Sequence, residues 1–147
     1  MTMRSLLPAL LLSLLFVGPQ AQAETRRIDN WEIIYTVVNT TFVEPEVAAR
    51  YQLVRAEDRA FVNIAVRELL PDGGSRAVTT RIEGRSWDLM QNQFLEFQEI
   101  REGDAVYYIA DFEFTDGELR FFDLLLAPEG AERSSQIKFQ HKVYAEQ

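Results

Sequence analysis

Over residues 104–114 the chain alternates strictly. Val106, Tyr108, Ala110, Phe112 and Phe114 share one parity, and Ala105, Tyr107, Ile109, Asp111 and Glu113 the other. A period of two with one wholly apolar face predicts a half-buried β-strand. Thr115-Asp116-Gly117-Glu118 follows, then a second apolar run over residues 119–127 that Pro128 stops. Asp-Gly between two such runs predicts a β-hairpin, placed here at the centre of a β-sandwich. In the second run Phe122, Leu124 and Leu126 are assigned to the core, because the opposite parity would bury Asp123.

The same reading extends along the chain. Residues 24–29 form a polar lead-in. A strand over 30–42 carries Trp31, Ile33, Tyr35 and Val37 on one face; its other face is also apolar, so cover on two sides is expected. Pro45 suits the first position of a short helix and Glu46 its positive end. A helix of about two turns is marginal alone, so Val47 and Tyr51 must hold it by packing. Strands over 60–69 (Val62, Ile64 and Val66 inward) and 76–83 (Val78, Thr80 and Ile82 inward) flank the turn Pro71-Asp72-Gly73-Gly74-Ser75. Gly84 ends the second of them. Residues 85–92 alternate weakly through Trp87 and Leu89. Strand character returns over 94–100 with Leu95 and Phe97 on one face, and Ile100 breaks the parity as a β-bulge would. A last strand over 135–144 carries Ile137, Phe139, His141 and Val143. Seven or eight short strands bounded by turn residues predict an all-β, antiparallel, immunoglobulin-like sandwich with one short helix. A small barrel is the alternative.

The N-terminus is excluded from this fold. Arg4, an apolar run over residues 6–17, the break at Gly18-Pro19 and Ala21-Gln22-Ala23 compose a secretory leader with cleavage expected after Ala23. The run is shorter than the about 20 residues a membrane span needs. The expectation is a signal peptide over 1–23, a single domain over 24–147 and, in a Gram-negative host, a periplasmic address. The chain contains no cysteine, which removes disulfides, thiol nucleophiles and Cys-ligated metals. Its formal charge is −8, one unit more negative once Arg4 is removed, which argues against nucleic acid and anionic lipid as partners. Lys138 and Lys142 are the only lysines; every other basic residue but His141 is arginine.

Several segments together carry a resemblance. Asn39-Thr40-Thr41-Phe42, Pro45-Glu46-Val47-Ala48, the run Arg101-Glu102-Gly103-Asp104-Ala105-Val106-Tyr107-Tyr108-Ile109 and Lys138-Phe139-Gln140 resemble, in that order, domain-of-unknown-function family 4426. That family consists of small exported proteins of Gram-negative bacteria, and the resemblance spans the chain after the leader. It implies a periplasmic β-sandwich and brings no catalytic residues. The family has a small hydroxyl residue before the proline, where this chain has Glu44.

No motif carries recognisable chemistry. His141 is the only histidine, and a transition-metal site usually needs two or more nitrogen or sulfur ligands. Asp72-Gly73-Gly74 and Asp116-Gly117-Glu118 lack the alternating oxygens of a calcium loop and read as turns. Ser86 lacks the context of a nucleophile elbow. Glu96, Glu99, Glu102 and Asp104 could pair as acid and base, but an acidic solvated edge explains them as well. No cofactor and no catalytic residue is assigned. The candidate binding surface is the outer parity of the alternating strand, Tyr107, Ile109, Asp111 and Glu113, provided that the helix or a loop does not cover it; Phe121 and Leu125 pose the same question. The expected function is a non-enzymatic protein- or peptide-binding module. The alternative is a small-ligand carrier with an apolar pocket between the sheets lined by Tyr35, Tyr108 and Phe112, and a carboxylate hydrolase ranks third.

Overall fold

The computed structural model describes residues 22–146; the leader expected over residues 1–23 lies outside them except for its last two positions. Ten strands run in chain order as β1 (Glu24–Ile28), β2 (Trp31–Asn39), β3 (Arg59–Leu69), β4 (Ser75–Ala77) and β5 (Thr80–Trp87), then β6 (Asn92–Leu95), β7 (Gln98–Glu102), β8 (Ala105–Glu113), β9 (Glu118–Pro128) and β10 (Ser135–Val143). A 3-10 turn, Thr40–Phe42, and helix α1, Pro45–Arg50, follow β2. The strands make two antiparallel sheets. The first has the order β1-β2-β3-β8-β7, with β4 paired to the end of β3; the second has the order β10-β9-β5-β6. The sandwich architecture is as expected, and neither sheet closes into a barrel.

The expected central hairpin is not formed. β8 pairs with β3 and β7, whereas β9 pairs with β5 and β10, so the Thr115–Glu118 turn crosses from one sheet to the other. Two features account for this. Gly117 has φ +76° while Asp116 does not take a positive φ, which excludes the two-residue turn that would keep both strands in one sheet. The turn is also tied to the last strand: the Gly117 N–H donates to the Val143 carbonyl at 2.8 Å, and Asp116 Oδ1 accepts the Ala145 N–H at 2.8 Å. The apolar faces of β8 and β9 therefore meet across the core, where Phe112 packs edge-on to Phe122 at 5.4 Å.

Two more continuous-looking runs are split between the sheets. The run expected over 76–83 divides at Val78–Thr79 into β4 of the first sheet and β5 of the second. The run over 94–100 divides at Glu96–Phe97 into β6 and β7. Ile100 breaks parity because its strand has changed sheets: Leu95 faces the main core, and Ile100 faces the opposite side of the first sheet. Gly84 lies inside β5 rather than ending a strand, since a Cβ there would stand 2.6 Å from the Asp123 carbonyl oxygen on β9. The polar residues 24–29 include an edge strand, β1, paired with β2 from Glu24↔Tyr35 to Ile28↔Trp31.

The assigned inward residues hold. Val106, Tyr108, Ala110, Phe112 and Phe114 meet Phe122, Leu124 and Leu126 in one core with Ile33, Val62, Ile64, Val66 and Ile137. A second, smaller cluster lies outside the first sheet, where α1 and the segment after it pack Val47, Ala48, Tyr51 and Leu53 on Phe61, Ile100 and Ile109. As expected, α1 begins with Pro45, has Glu46 in its first turn and is held by Val47 and Tyr51; Glu44 before it makes no side-chain cap.

Candidate functional site

The four residues expected to form a binding surface do not share an exposed patch. Ile109 is 4% exposed, beneath α1. Tyr107 is half-buried beside that cluster. Asp111 and Glu113 both pair with Arg59, with Glu113 at 2.9 Å. The helix supplies the cover on which the reading was conditional. Tyr51 of the segment closing α1 reaches over the sheet to hydrogen-bond Glu102.

The outer face of the second sheet is different, because among the described residues no helix or strand lies across it. Alternation along its strands sets out the residues. β5 contributes Arg81, Glu83, Arg85 and Trp87; β9 contributes Leu119, Phe121, Asp123 and Leu125; β10 contributes Gln136, Lys138, Gln140 and Lys142; β6 contributes Phe94. Register aligns them in rows. One row runs Phe94–Arg85–Asp123–Lys138, and the next runs Trp87–Phe121–Gln140. Trp87 and Phe121 stack at 5.7 Å, and the Arg85 guanidinium lies 4.9 Å from the Trp87 ring. Phe94 is 79% exposed, and Leu119 and Leu125 are also open. A shallow depression of about 310 Å³ lies along Trp87, Phe121, Lys138 and Gln140. Both lysines of the chain stand on this face. With Arg81 and Arg85 they outnumber its acids, Glu83 and Asp123, although the chain as a whole carries −8.

A buried charge cluster ties down one end of this sheet. Arg120 on the inner side of β9 is 1% exposed. Its Nε donates to Ser86 Oγ at 2.6 Å, its Nη1 donates to Glu118 Oε1 at 2.9 Å and lies 3.8 Å from Asp88, and its guanidinium sits 5.0 Å from the Phe112 ring. Asp88 also accepts the N–H groups of Met90 and Gln91 at 2.7 and 2.6 Å. That clamp fixes the β5–β6 turn, whose tip presents Leu89, 96% exposed, and Met90 to solvent. Hydrogen bonding to Glu118, and to those backbone N–H groups, holds the Asp88 carboxyl below the usual range. Burial, then the hydrogen bond with Asp88, pushes Glu118 up.

Of the four clustered carboxylates, Glu99 and Glu102 are engaged structurally, while Glu96 and Asp104 are exposed. Glu99 accepts from Tyr108 Oη at 2.7 Å and pairs with Arg101 at 3.1 Å, while Glu102 serves Tyr51. The Tyr108 hydroxyl also accepts the buried Thr80 N–H at 2.8 Å, and desolvation pushes its pKa up to about 12. Tyr35 packs on Phe139 at 4.3 Å, and Phe112 on Phe122. Tyr35, Tyr108 and Phe112 thus fill the interior against their own partners. Burial lowers the pKa of His141 on the inner side of β10. Among the described residues no group of three or more His, Asp or Glu side chains is placed to hold a metal ion, and no helix is long and apolar enough to cross a membrane.

Sequence reasoning missed most of the open face. Phe121, Leu125 and the two lysines carry a signal, but Arg81, Glu83, Arg85 and Trp87 alternate through Gly84, and a glycine there reads as a strand end.

A comparison with curated proteins gives no match. Among solved structures, a DUF4426 family protein from Pseudomonas aeruginosa PAO1 is similar at 25% identity and TM-score 0.73, over 85% of this chain and 97% of that one. FetP of uropathogenic Escherichia coli strain F11, as isolated after recombinant expression in the periplasm of E. coli, is similar at 10% identity and TM-score 0.65, over 88% of this chain and 100% of that one. A copper-bound variant of the same FetP gives 9% identity and TM-score 0.64, over 85% and 97%. The FetP likeness is one of fold alone. The family model for the domain of unknown function DUF4426 matches residues 25–146, and the chain therefore belongs to that family.

Proposed function

We propose that the protein is an exported, non-enzymatic binding module of the periplasm that docks a partner protein or peptide on the open face of its second sheet. The partner's matching surface combines apolar side chains with an excess of carboxylates. One observation carries the reading: a sheet face that no described element covers presents Trp87, Phe94 and Phe121 with Arg85, Lys138 and Lys142 in the same or adjacent rows and Arg81 farther along β5, on a chain of net charge −8. Aromatic and arginine side chains dominate interface energetics, and contiguous apolar patches on an otherwise polar surface mark interaction sites. The basic rim would select an acidic partner and disfavour face-to-face pairing with a second copy, whose matching face is equally basic. The periplasmic address is supported by the leader pattern of Arg4, the apolar run over residues 6–17 and Ala21-Gln22-Ala23.

The test places a photo-crosslinking residue at Phe94 and, in a second strain, at Glu46 on the opposite side, in the native host. One reproducible partner is expected from position 94 alone. Its purified form is expected to lose at least about tenfold in affinity to Arg85→Glu/Lys138→Glu, an interfacial cost of about 1.4 kcal/mol or more, and to bind more weakly at high salt. The same captured set from both positions, or a charge-reversed variant that binds the partner as well as the parent, would refute the docking face.

A further inference from the structure

The first sheet carries a second feature, separate from the docking face. Beyond the reach of α1, its outer side forms a cavity of about 170 Å³ lined by Ile34, Thr36, Asn63, Ala65, Arg67 and Tyr107. Asn63 is 5% exposed, yet its Oδ1 has no hydrogen-bond partner among the described residues. A buried acceptor without a donor is costly and rare enough to need a physical account. Its cross-strand neighbour on β2 is Thr36. The Thr36 hydroxyl donates to the main-chain carbonyl of Gln22 at 3.2 Å. The cavity therefore offers one donor that already holds a peptide carbonyl and, beside it, one acceptor that lacks an N–H.

We propose that this cavity is a site for one residue of an extended peptide, whose carbonyl accepts from Thr36 Oγ1 and whose N–H donates to Asn63 Oδ1. In extended chain the N–H and C=O of one residue point the same way, which is how antiparallel partners exchange two bonds. Side chains paired across strands stand about 5 Å apart, so Thr36 and Asn63 can serve both groups of one residue. Ile34, Ala65 and the Tyr107 ring wall the cavity with apolar surface for a small side chain. Main-chain recognition plus a small apolar pocket is a recurrent mode of peptide capture on sheets. The peptide group has two sources. Residues 22–23 of the chain already supply a carbonyl. If the leader is cleaved after Ala23, the Thr36 hydroxyl is released beside the unpaired Asn63 Oδ1, and the site opens to a peptide from elsewhere.

The test uses the ¹⁵N-labelled chain beginning at Glu24, which retains every strand and α1. The probe is acetyl-Ala-Gln-Ala methylamide, the sequence of residues 21–23. Saturable chemical-shift changes are expected at the Asn63 carboxamide, the Thr36 amide and Tyr107. Asn63→Leu and Thr36→Val are each expected to weaken the probe at least about tenfold, since either strands one peptide group. Should Asn63→Leu fail to fold, Tyr107→Ala tests the same wall and is expected to reduce affinity. A parallel chain beginning at Gln22 identifies the source. Weaker probe binding there assigns the site to the chain's own segment before processing, and equal binding assigns it to an external peptide. An Asn63 carboxamide that stays unmoved on titration and contacts only water would overturn the site, as would shifts confined to the second sheet. The two proposals lie on different sheets, so each can fail without the other.

Discussion

Replacing Arg120 by Met removes the one cation from a buried cluster and leaves its two acids facing each other. The cost can be worked from the contacts. Arg120 serves Glu118 at 2.9 Å, Asp88 at 3.8 Å and Ser86 at 2.6 Å. Breaking a buried ion pair from one side costs about 3–5 kcal/mol, because it strands a charge. Arg120 Nη2 is itself buried without a partner, and removing it returns about 1–3 kcal/mol. The first effect wins at neutral pH, and Arg120→Met is expected to destabilise by about 2 kcal/mol. With a urea m-value of about 2 kcal/mol/M for a domain of this size, the unfolding midpoint followed by Trp31 and Trp87 fluorescence should fall by about 1 M. Two controls separate stranded charge from lost packing. Arg120→Met/Glu118→Gln should recover at least half of the deficit. The pKa of Glu118 is already raised in the folded state, so its ionised form is the penalised one, and the penalty disappears as pH falls through that raised pKa. The single variant's deficit should therefore shrink as pH falls through that raised pKa. A midpoint equal to that of the parent, or a deficit that neither Glu118→Gln nor acid relieves, would refute the account.

Two further outcomes follow from the same kind of reasoning. Tyr108→Phe deletes the hydroxyl that accepts the Thr80 N–H and donates to Glu99; with that N–H left buried, a loss of about 1–3 kcal/mol in urea unfolding is expected, and a parent-like stability would show that Thr80 finds another partner. His141 has a folded pKa lowered by burial, so the stability it contributes is present above its ordinary pKa of about 6.5 and is lost as pH falls through the depressed one; the parent's unfolding midpoint should drop more steeply than that of His141→Gln between about pH 7 and 5, and parallel profiles would contradict the assignment.

The faces of the strands were legible in the sequence, and the paths between them were not. Alternation through Val106–Phe114 and Phe122–Leu126 placed those side chains in the core, because a period of two is a local property of extended backbone. It does not say which sheet a strand joins. Asp116-Gly117 lies between two such faces whether the chain folds back beside itself or crosses to the opposite layer, and the decision rests on Val143 and Ala145, about thirty residues later. The breaks at Val78–Thr79 and Glu96–Phe97 were hidden for the same reason: one sheet's partner takes over from the other's with no change in composition. Resemblance to the family implied the same fold class as the strand count, but brought no strand order and no residue roles.

Arg120 shows where a sound local rule stops. Excluding Asp123 from the core chose the right face of β9, yet the same parity sends Arg120 inward. A guanidinium is tolerated there because β5, the β5–β6 turn and β8 supply Ser86, Asp88 and the Phe112 ring, none of which is adjacent in sequence. That arrangement also holds the turn bearing Leu89 and Met90, so a charge inside the sandwich stiffens an apolar tip outside it. The proposed docking face was obscured in a related way. Gly84 looked like a strand end because glycine weakens strands, whereas β9 approaches so closely that only glycine fits. Reading through it joins Arg81, Glu83, Arg85 and Trp87 into one exposed row. A glycine within an alternating run is thus read better as a point of close strand approach when the alternation resumes in phase beyond it, and here that reading leads to the open face.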